Sequence, residues 1–82
     1  MNNKKPVKIT YSDGSYKPFP SIKALVKDEQ IWNTLLYLGI ANVDNEYEKE
    51  FSRVHRMIIK GLNNNGKYII GNGLVTKNIV WK

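Results

Sequence analysis

The chain has no cysteine among its 82 residues, so it holds neither a disulfide framework nor a thiolate zinc site. It has no long apolar run. The longest, Leu35 to Ala41, is interrupted by Gly39, whereas a membrane-spanning helix needs about 20 apolar residues. The polar start, Met1-Asn2-Asn3-Lys4-Lys5-Pro6, lacks the apolar stretch of a secretory signal. These absences fit a soluble protein of the reducing cytoplasm, with no membrane contact expected. Only one histidine is present, and no Ser or Cys nucleophile stands in a catalytic motif. A general base needs a partner and a substrate pocket, so His55 is expected to serve packing or a phosphate contact, and the chain is not expected to be an enzyme. No cofactor motif is present. Gly71-Asn72-Gly73 lacks the Lys-Ser/Thr that completes a phosphate loop. Glu46, Glu48 and Glu50 alternate along a helix, point apart and make no metal site.

The most informative absence is acidic. Residues 1–50 hold seven Lys and all seven acids, which cancel. Residues 51–82 hold Arg53, Arg56, Lys60, Lys67, Lys77 and Lys82 and no Asp or Glu. The whole net charge of +6 therefore lies in the last 32 residues. Such asymmetry points to a polyanion-facing half, although a basic surface also simply aids solubility.

The length fits one domain over residues 1–82, with 1–5 as a frayed arm. Val7, Ile9 and Tyr11 alternate with Lys8 and Thr10, the period of a half-buried strand. Ser12-Asp13-Gly14-Ser15 supplies a tight turn, and Tyr16 to Phe19 returns as a short strand that Pro18 confines to an edge. Ser21 is placed to cap a first helix, in which Ile22, Leu25 and Val26 form the core face and Lys23 and Lys27 share another. Asp28 either sits inside one long helix or caps a second from Glu29 to Leu38. Asp28-Glu29-Gln30 is a good helix start and favours the break. Ile31, Trp32, Leu35 and Leu36 would then be buried.

Asp44 or Asn45 is expected to cap a third helix. Glu46, Glu48 and Glu50 would lie at its positive end, and Tyr47, Phe51, Val54, Ile58 and Leu62 along its core stripe. Lys49, Arg53, Arg56 and Lys60 repeat at helical spacing about 200° round from that stripe. Like charges at i, i+4 cost an isolated helix a few tenths of a kcal/mol, yet suit a row of phosphates. Alternatively the stripe is merely solvated, with Glu46 and Glu50 neutralising its first turn. Gly61 and Asn63-Asn64-Asn65-Gly66 would end the helix. Lys67 to Ile70 and Leu74 to Lys82 read as a closing hairpin about Asn72-Gly73, with Val75, Ile79 and Trp81 on one face. Trp32 is expected in the core, while Trp81 serves equally well as core or as a stacking base partner.

The expected class is α+β: an N-terminal β-hairpin, three helices and a C-terminal β-hairpin, in winged-helix-like order. The third helix would be the recognition helix. The candidate nucleic-acid contacts are Lys49, Arg53, Arg56, Lys60, Lys67 and Lys77, with DNA favoured over RNA. No catalytic, metal or cofactor residue is assigned.

Pro6-Val7-Lys8-Ile9-Thr10-Tyr11, Asp13-Gly14 and Phe19-Pro20-Ser21-Ile22-Lys23-Ala24 resemble the small nuclease-associated modular DNA-binding domains of intron-encoded and phage homing endonucleases. The likeness covers residues 6–31. Ala24 stands one place earlier than in that family's pattern, and residues 37–62 do not follow it. The resemblance implies DNA binding, a phage or mobile-element origin, a helix-capping role for Ser21 and a backbone contact from Lys23 or Lys27. The competing expectation is a phage-encoded inhibitor that binds a host protein, such as a nuclease or polymerase, in the host cytoplasm. Small size, the Lys/Asn/Ile-rich composition and a hairpin edge open to strand addition support it.

Overall fold

The structure, a computed structural model, describes residues 5–78. It is α+β, with a four-stranded antiparallel sheet and three helices. Strand β1 (Val7–Tyr11) turns at residues 12–15 into β2 (Tyr16–Phe19). The turn is closed by the Tyr11 N–H donating to the Ser15 carbonyl at 2.8 Å and by the Asp13 carboxylate, which accepts from both the Ser15 N–H and its hydroxyl. Those two bonds hold the exposed Asp13 carboxyl below the ordinary carboxylate range.

Helix α1 (Ile22–Lys27) begins where the Ser21 hydroxyl accepts from the Ala24 N–H at 3.1 Å. Helix α2 (Glu29–Tyr37) follows at once. The extended backbone of Asp28 separates the two, and its carboxylate caps α2 by accepting from the Ile31 N–H at 3.1 Å. The single residue thus ends one helix and starts the next, while its carboxylate also pairs with Lys17 of β2 at 3.2 Å. The separate second helix expected from Asp28-Glu29-Gln30 is what forms.

Helix α3 (Tyr47–Asn65) starts two residues later than a cap at Asp44 would set it, and one later than a cap at Asn45. Neither side chain caps it. The Asn45 amide donates to Glu50 instead, and the residue before the helix, Glu46, makes no side-chain cap bond. At its other end the helix runs through Asn63, Asn64 and Asn65, and stops at Gly66, whose φ of 77° suits a left-handed C-cap. Gly61 does not end it. That residue lies inside the helix, where a Cβ would meet the Tyr68 ring at 2.9 Å, so glycine leaves room for β3.

Strands β3 (Lys67–Ile70) and β4 (Gly73–Lys77) form the second hairpin. Ile79, Val80, Trp81 and Lys82, which the sequence places on the last strand, lie outside the described residues. The second hairpin does not stand apart as a wing. β4 pairs antiparallel with β1, placing Ile9 opposite Val75, and the sheet order is β2-β1-β4-β3.

Strand alternation divides the sheet into two faces. One carries Val7, Ile9, Phe19, Ile70 and Val75, all buried against Ile22, Leu25, Val26, Ile31, Leu35, Val54, Ile58 and Leu62 of the helices. Each such side chain removed from water contributes about 1.5–3 kcal/mol, so the helical layer is held to one face only. Gly73 marks the tightest point of that contact: a Cβ there would lie 2.6 Å from Ile9 Cδ1 and 3.2 Å from Tyr11 Cε1.

Candidate nucleic-acid interface

Four cations were expected to share the outer side of α3, and the structure separates one of them from the rest. Lys49, Arg53, Arg56 and Lys60 are all exposed. Arg53 is engaged. Its Nε donates to Glu50 Oε1 at 2.9 Å, and its Nη2 donates to Glu50 Oε2 at 2.7 Å and to the Ile40 carbonyl at 2.6 Å. Glu50 is only 2% exposed, and its pairing with Arg53 matches the alternative in which Glu46 and Glu50 neutralise the first turn of the stripe. It also accepts from the Asn42 N–H at 2.7 Å and the Asn45 amide at 2.9 Å. Led by Arg53, these donors hold its carboxyl down to about 2. Charge and hydrogen-bond capacity are thereby matched inside the fold. Arg53 ties α3 to the loop before it; its side chain stays 48% exposed, but its charge is paired with Glu50. Lys49 faces Glu46 at 3.9 Å with both side chains largely in water, a weak pairing.

Burying Glu50 rotates the first turns of α3 relative to the expected stripe. Val54, Ile58 and Leu62 are buried as expected, but Tyr47 is 52% exposed and Phe51 only half-buried. The displaced aromatics form a cluster with Trp32. Its ring meets Tyr47 edge-on at 5.1 Å and Phe51 at 6.4 Å, so Trp32 is half-buried at the rim of the core. His55 continues the row, stacked on Phe51 at 6.0 Å.

Beside this row, α1 and α3 enclose an open groove of about 820 Å³. Phe51, His55 and Tyr47 line it, and Lys23, Lys27, Ser52, Arg56 and Glu48 complete its walls. Three cations thus face one acid. Burial first, and Lys23 second, push the His55 imidazole below its ordinary value, so it is neutral at neutral pH. Lys23 and Lys27 were singled out in the sequence as a pair four residues apart, but only the family resemblance gave them a contact role. What the sequence did not reveal is that they converge with Arg56.

Lys67 and Lys77 lie elsewhere. Lys67 pairs with Thr76 and projects from the sheet face opposite the helices, while Lys77 ends β4 on the helix-facing register with Val7. The six predicted contacts therefore do not form one surface. Lys49, Arg56 and Lys60 share the outer side of α3, Arg53 is exposed but paired with Glu50 and the Ile40 carbonyl, and Lys67 and Lys77 leave on other sides. Nine residues separate Tyr37, the end of α2, from Tyr47, the start of α3, against the three or four of a helix-turn-helix.

Among the described residues no cluster of His, Asp and Glu is arranged to hold a metal, and no helix is long and apolar enough to cross a membrane. No family model, curated protein or solved structure matches the chain.

Proposed function

We propose that the protein binds nucleic acid, with duplex DNA as the preferred form, through the helical side of the fold. The observation that carries this reading is the convergence of Lys23, Lys27 and Arg56 around one groove beside an exposed α3. An exposed helix fits the DNA major groove, and cations flanking it neutralise phosphates and release counterions. Arg56, Lys60 and Lys49 extend along α3, and Lys23 and Lys27 reach the adjoining backbone. Ser52 and neutral His55 add hydrogen-bonding groups without charge. The resemblance of residues 6–31 to nuclease-associated DNA-binding domains supports the same class, and the role of Ser21 as a helix cap agrees with it. The winged-helix element is kept only in reduced form. α3 takes the recognition role, and the β3–β4 hairpin, continuous with the sheet, buttresses α3 rather than gripping DNA. The protein acts as a binding factor, not an enzyme. The test is a fluorescence-anisotropy titration with a labelled mixed-sequence duplex at low and moderate salt. Micromolar or tighter binding that weakens steeply with salt is expected, and no binding at low salt would remove the reading.

A second reading, binding to a host protein as a small inhibitor, has its own observation. Tyr37 is 89% exposed and Val43 77% exposed, with Leu38 and Tyr47 also open, along the segment between α2 and α3. Large apolar side chains in water are frequent interface anchors. Recovery of one host protein in a nuclease-treated pull-down, lost on changing Tyr37→Ala and Val43→Ser, would favour it.

A further inference from the structure

The sheet face turned away from the helices carries a second, independent array. Cross-strand register aligns two rows over all four strands. The first runs Tyr16, Thr10, Leu74 and Ile69, and the second Pro18, Lys8, Thr76 and Lys67. Opposed residues of an antiparallel pair project to the same side, so all eight share this face. No helix covers it. Tyr16 is 61% and Ile69 63% exposed, and Lys67 and Pro18 are open. These eight residues include two cations, Lys8 and Lys67, and no acid. Lys8 lies over the Tyr16 ring, its Nζ 5.4 Å from the centroid, so a positive charge stands against one face of the aromatic plane.

We propose that this open sheet face binds single-stranded nucleic acid, with Tyr16 as a stacking platform for a base and Lys8 and Lys67 as contacts to the backbone. Charge selects the occupant. An acid-free face with two lysines favours a polyanion, and an exposed ring beside one of them favours a polyanion whose bases are free to stack. A duplex keeps its bases stacked on one another, whereas a single strand offers them. The flanking Thr10 and Thr76 hydroxyls supply sequence-neutral hydrogen bonds. Leu74 and Ile69 extend the apolar floor over which neighbouring bases would lie. This surface lies on the other side of the sheet from the α1–α3 groove and does not depend on the duplex-binding proposal.

The experiment compares a labelled mixed-sequence single strand of about 15 nucleotides, a length within the site sizes of single-strand binders, with the matching duplex. Both are titrated by anisotropy against the full chain, Tyr16→Ala, Tyr16→Phe, the Lys8→Gln/Lys67→Gln pair, and a Lys23→Gln/Lys27→Gln/Arg56→Gln groove variant. Tyr16→Ala is expected to weaken single-strand binding roughly tenfold and Tyr16→Phe to retain it, with duplex binding unchanged in both. The lysine pair is expected to weaken it and flatten its salt dependence, and the groove variant to leave it intact. Unaltered thermal melting of Tyr16→Ala verifies that the fold is kept. The proposal is overturned by failure of the full chain to bind the single strand, by equal binding of Tyr16→Ala, or by loss of single-strand binding in the groove variant.

Discussion

Changing Lys23, Lys27 and Arg56 together to Gln strips the α1–α3 groove of its three positive charges and leaves its aromatic floor. All three side chains are exposed, and Gln is a good helix former, so the fold should survive. With each cation neutralising one phosphate, the slope of log K against log salt becomes shallower by about 0.9 per charge, or about 2.7 for the three. Over a fourfold rise in salt, from roughly 50 to 200 mM, wild-type protein should then lose about 40-fold more affinity for duplex DNA than the variant does. Arg53→Gln is the internal control. It removes the same formal charge from the same helix, but the guanidinium it removes is bonded to Glu50 and to the Ile40 carbonyl. Arg53→Gln should therefore lower the melting temperature and leave the slope almost unchanged. Anisotropy titrations of one labelled duplex across several salt concentrations read both quantities. A triple variant with the wild-type slope, or an Arg53→Gln slope shifted as far as that of Arg56→Gln alone, would refute the reasoning.

Gly73→Ala should destabilise the protein by about 1–3 kcal/mol in chemical denaturation, because the added Cβ overpacks Ile9 and Tyr11; an unchanged midpoint would mean that β4 sits farther from β1. Ile58→Ala, at a position with no exposure, should cost about 2–5 kcal/mol by the same assay. For Glu50 the folded carboxyl is held at about 2 against an ordinary 4.5, so its stabilising contribution is complete above 4.5 and is lost as pH falls from there toward 2. Glu50→Gln should be less stable at neutral pH and show a flatter stability profile across that window. His55 has the opposite chemistry: its imidazole is depressed below 6.5 by burial and by Lys23, so the unfolded chain takes up protons more readily and stability declines as pH drops below about 6.5. His55→Gln should remove that decline, measured as the denaturation midpoint between pH 7 and pH 5.

Local periodicity made most of the elements legible. Val7-Ile9-Tyr11 alternates and Val54-Ile58-Leu62 repeats every turn; the structure buries all of these except Tyr11, which is partly buried against the core. Asp28 was readable as a helix break because its carboxylate satisfies an N-terminal N–H that a continuous helix would not leave free. Pairing between the hairpins was not legible. Alternation marks which residues of a strand face inward but not which other strand they meet, and the β1–β4 ladder joins the two ends of the described chain. The inward turn of Glu50 was hidden for a related reason. Along the helix start Glu46, Glu48 and Glu50 look alike, and only Arg53 at i+3 with Asn42 and Asn45 upstream distinguishes the last of them. Nothing short of tertiary geometry sets those three donors around one carboxylate. Once Glu50 turns inward, Tyr47 and Phe51 move to the rim, which is why the expected core stripe fails in its first two turns and holds thereafter.

Charge asymmetry along the sequence does not become a single charged surface in space. The acid-free segment after Glu50 passes through α3, β3 and β4. Helical periodicity sends Arg56 and Lys60 to the helical side, whereas strand alternation sends Lys67 through the opposite face of the sheet, where it joins Lys8 from the first half of the chain. The helical side likewise recruits Lys23 and Lys27 from the charge-balanced half. Screening determines how far the two groups act together. The smallest Cα dimension of the fold is 22 Å, while the Debye length is about 10 Å at 0.1 M salt. At that ionic strength the cations of one side contribute little to the field over the other, so the two surfaces should behave as separate sites, each with its own salt slope. Near 0.01 M the Debye length grows to about 30 Å and spans the molecule. Substitutions on the sheet face should then begin to weaken duplex binding at the groove, and this coupling should vanish again as salt is raised.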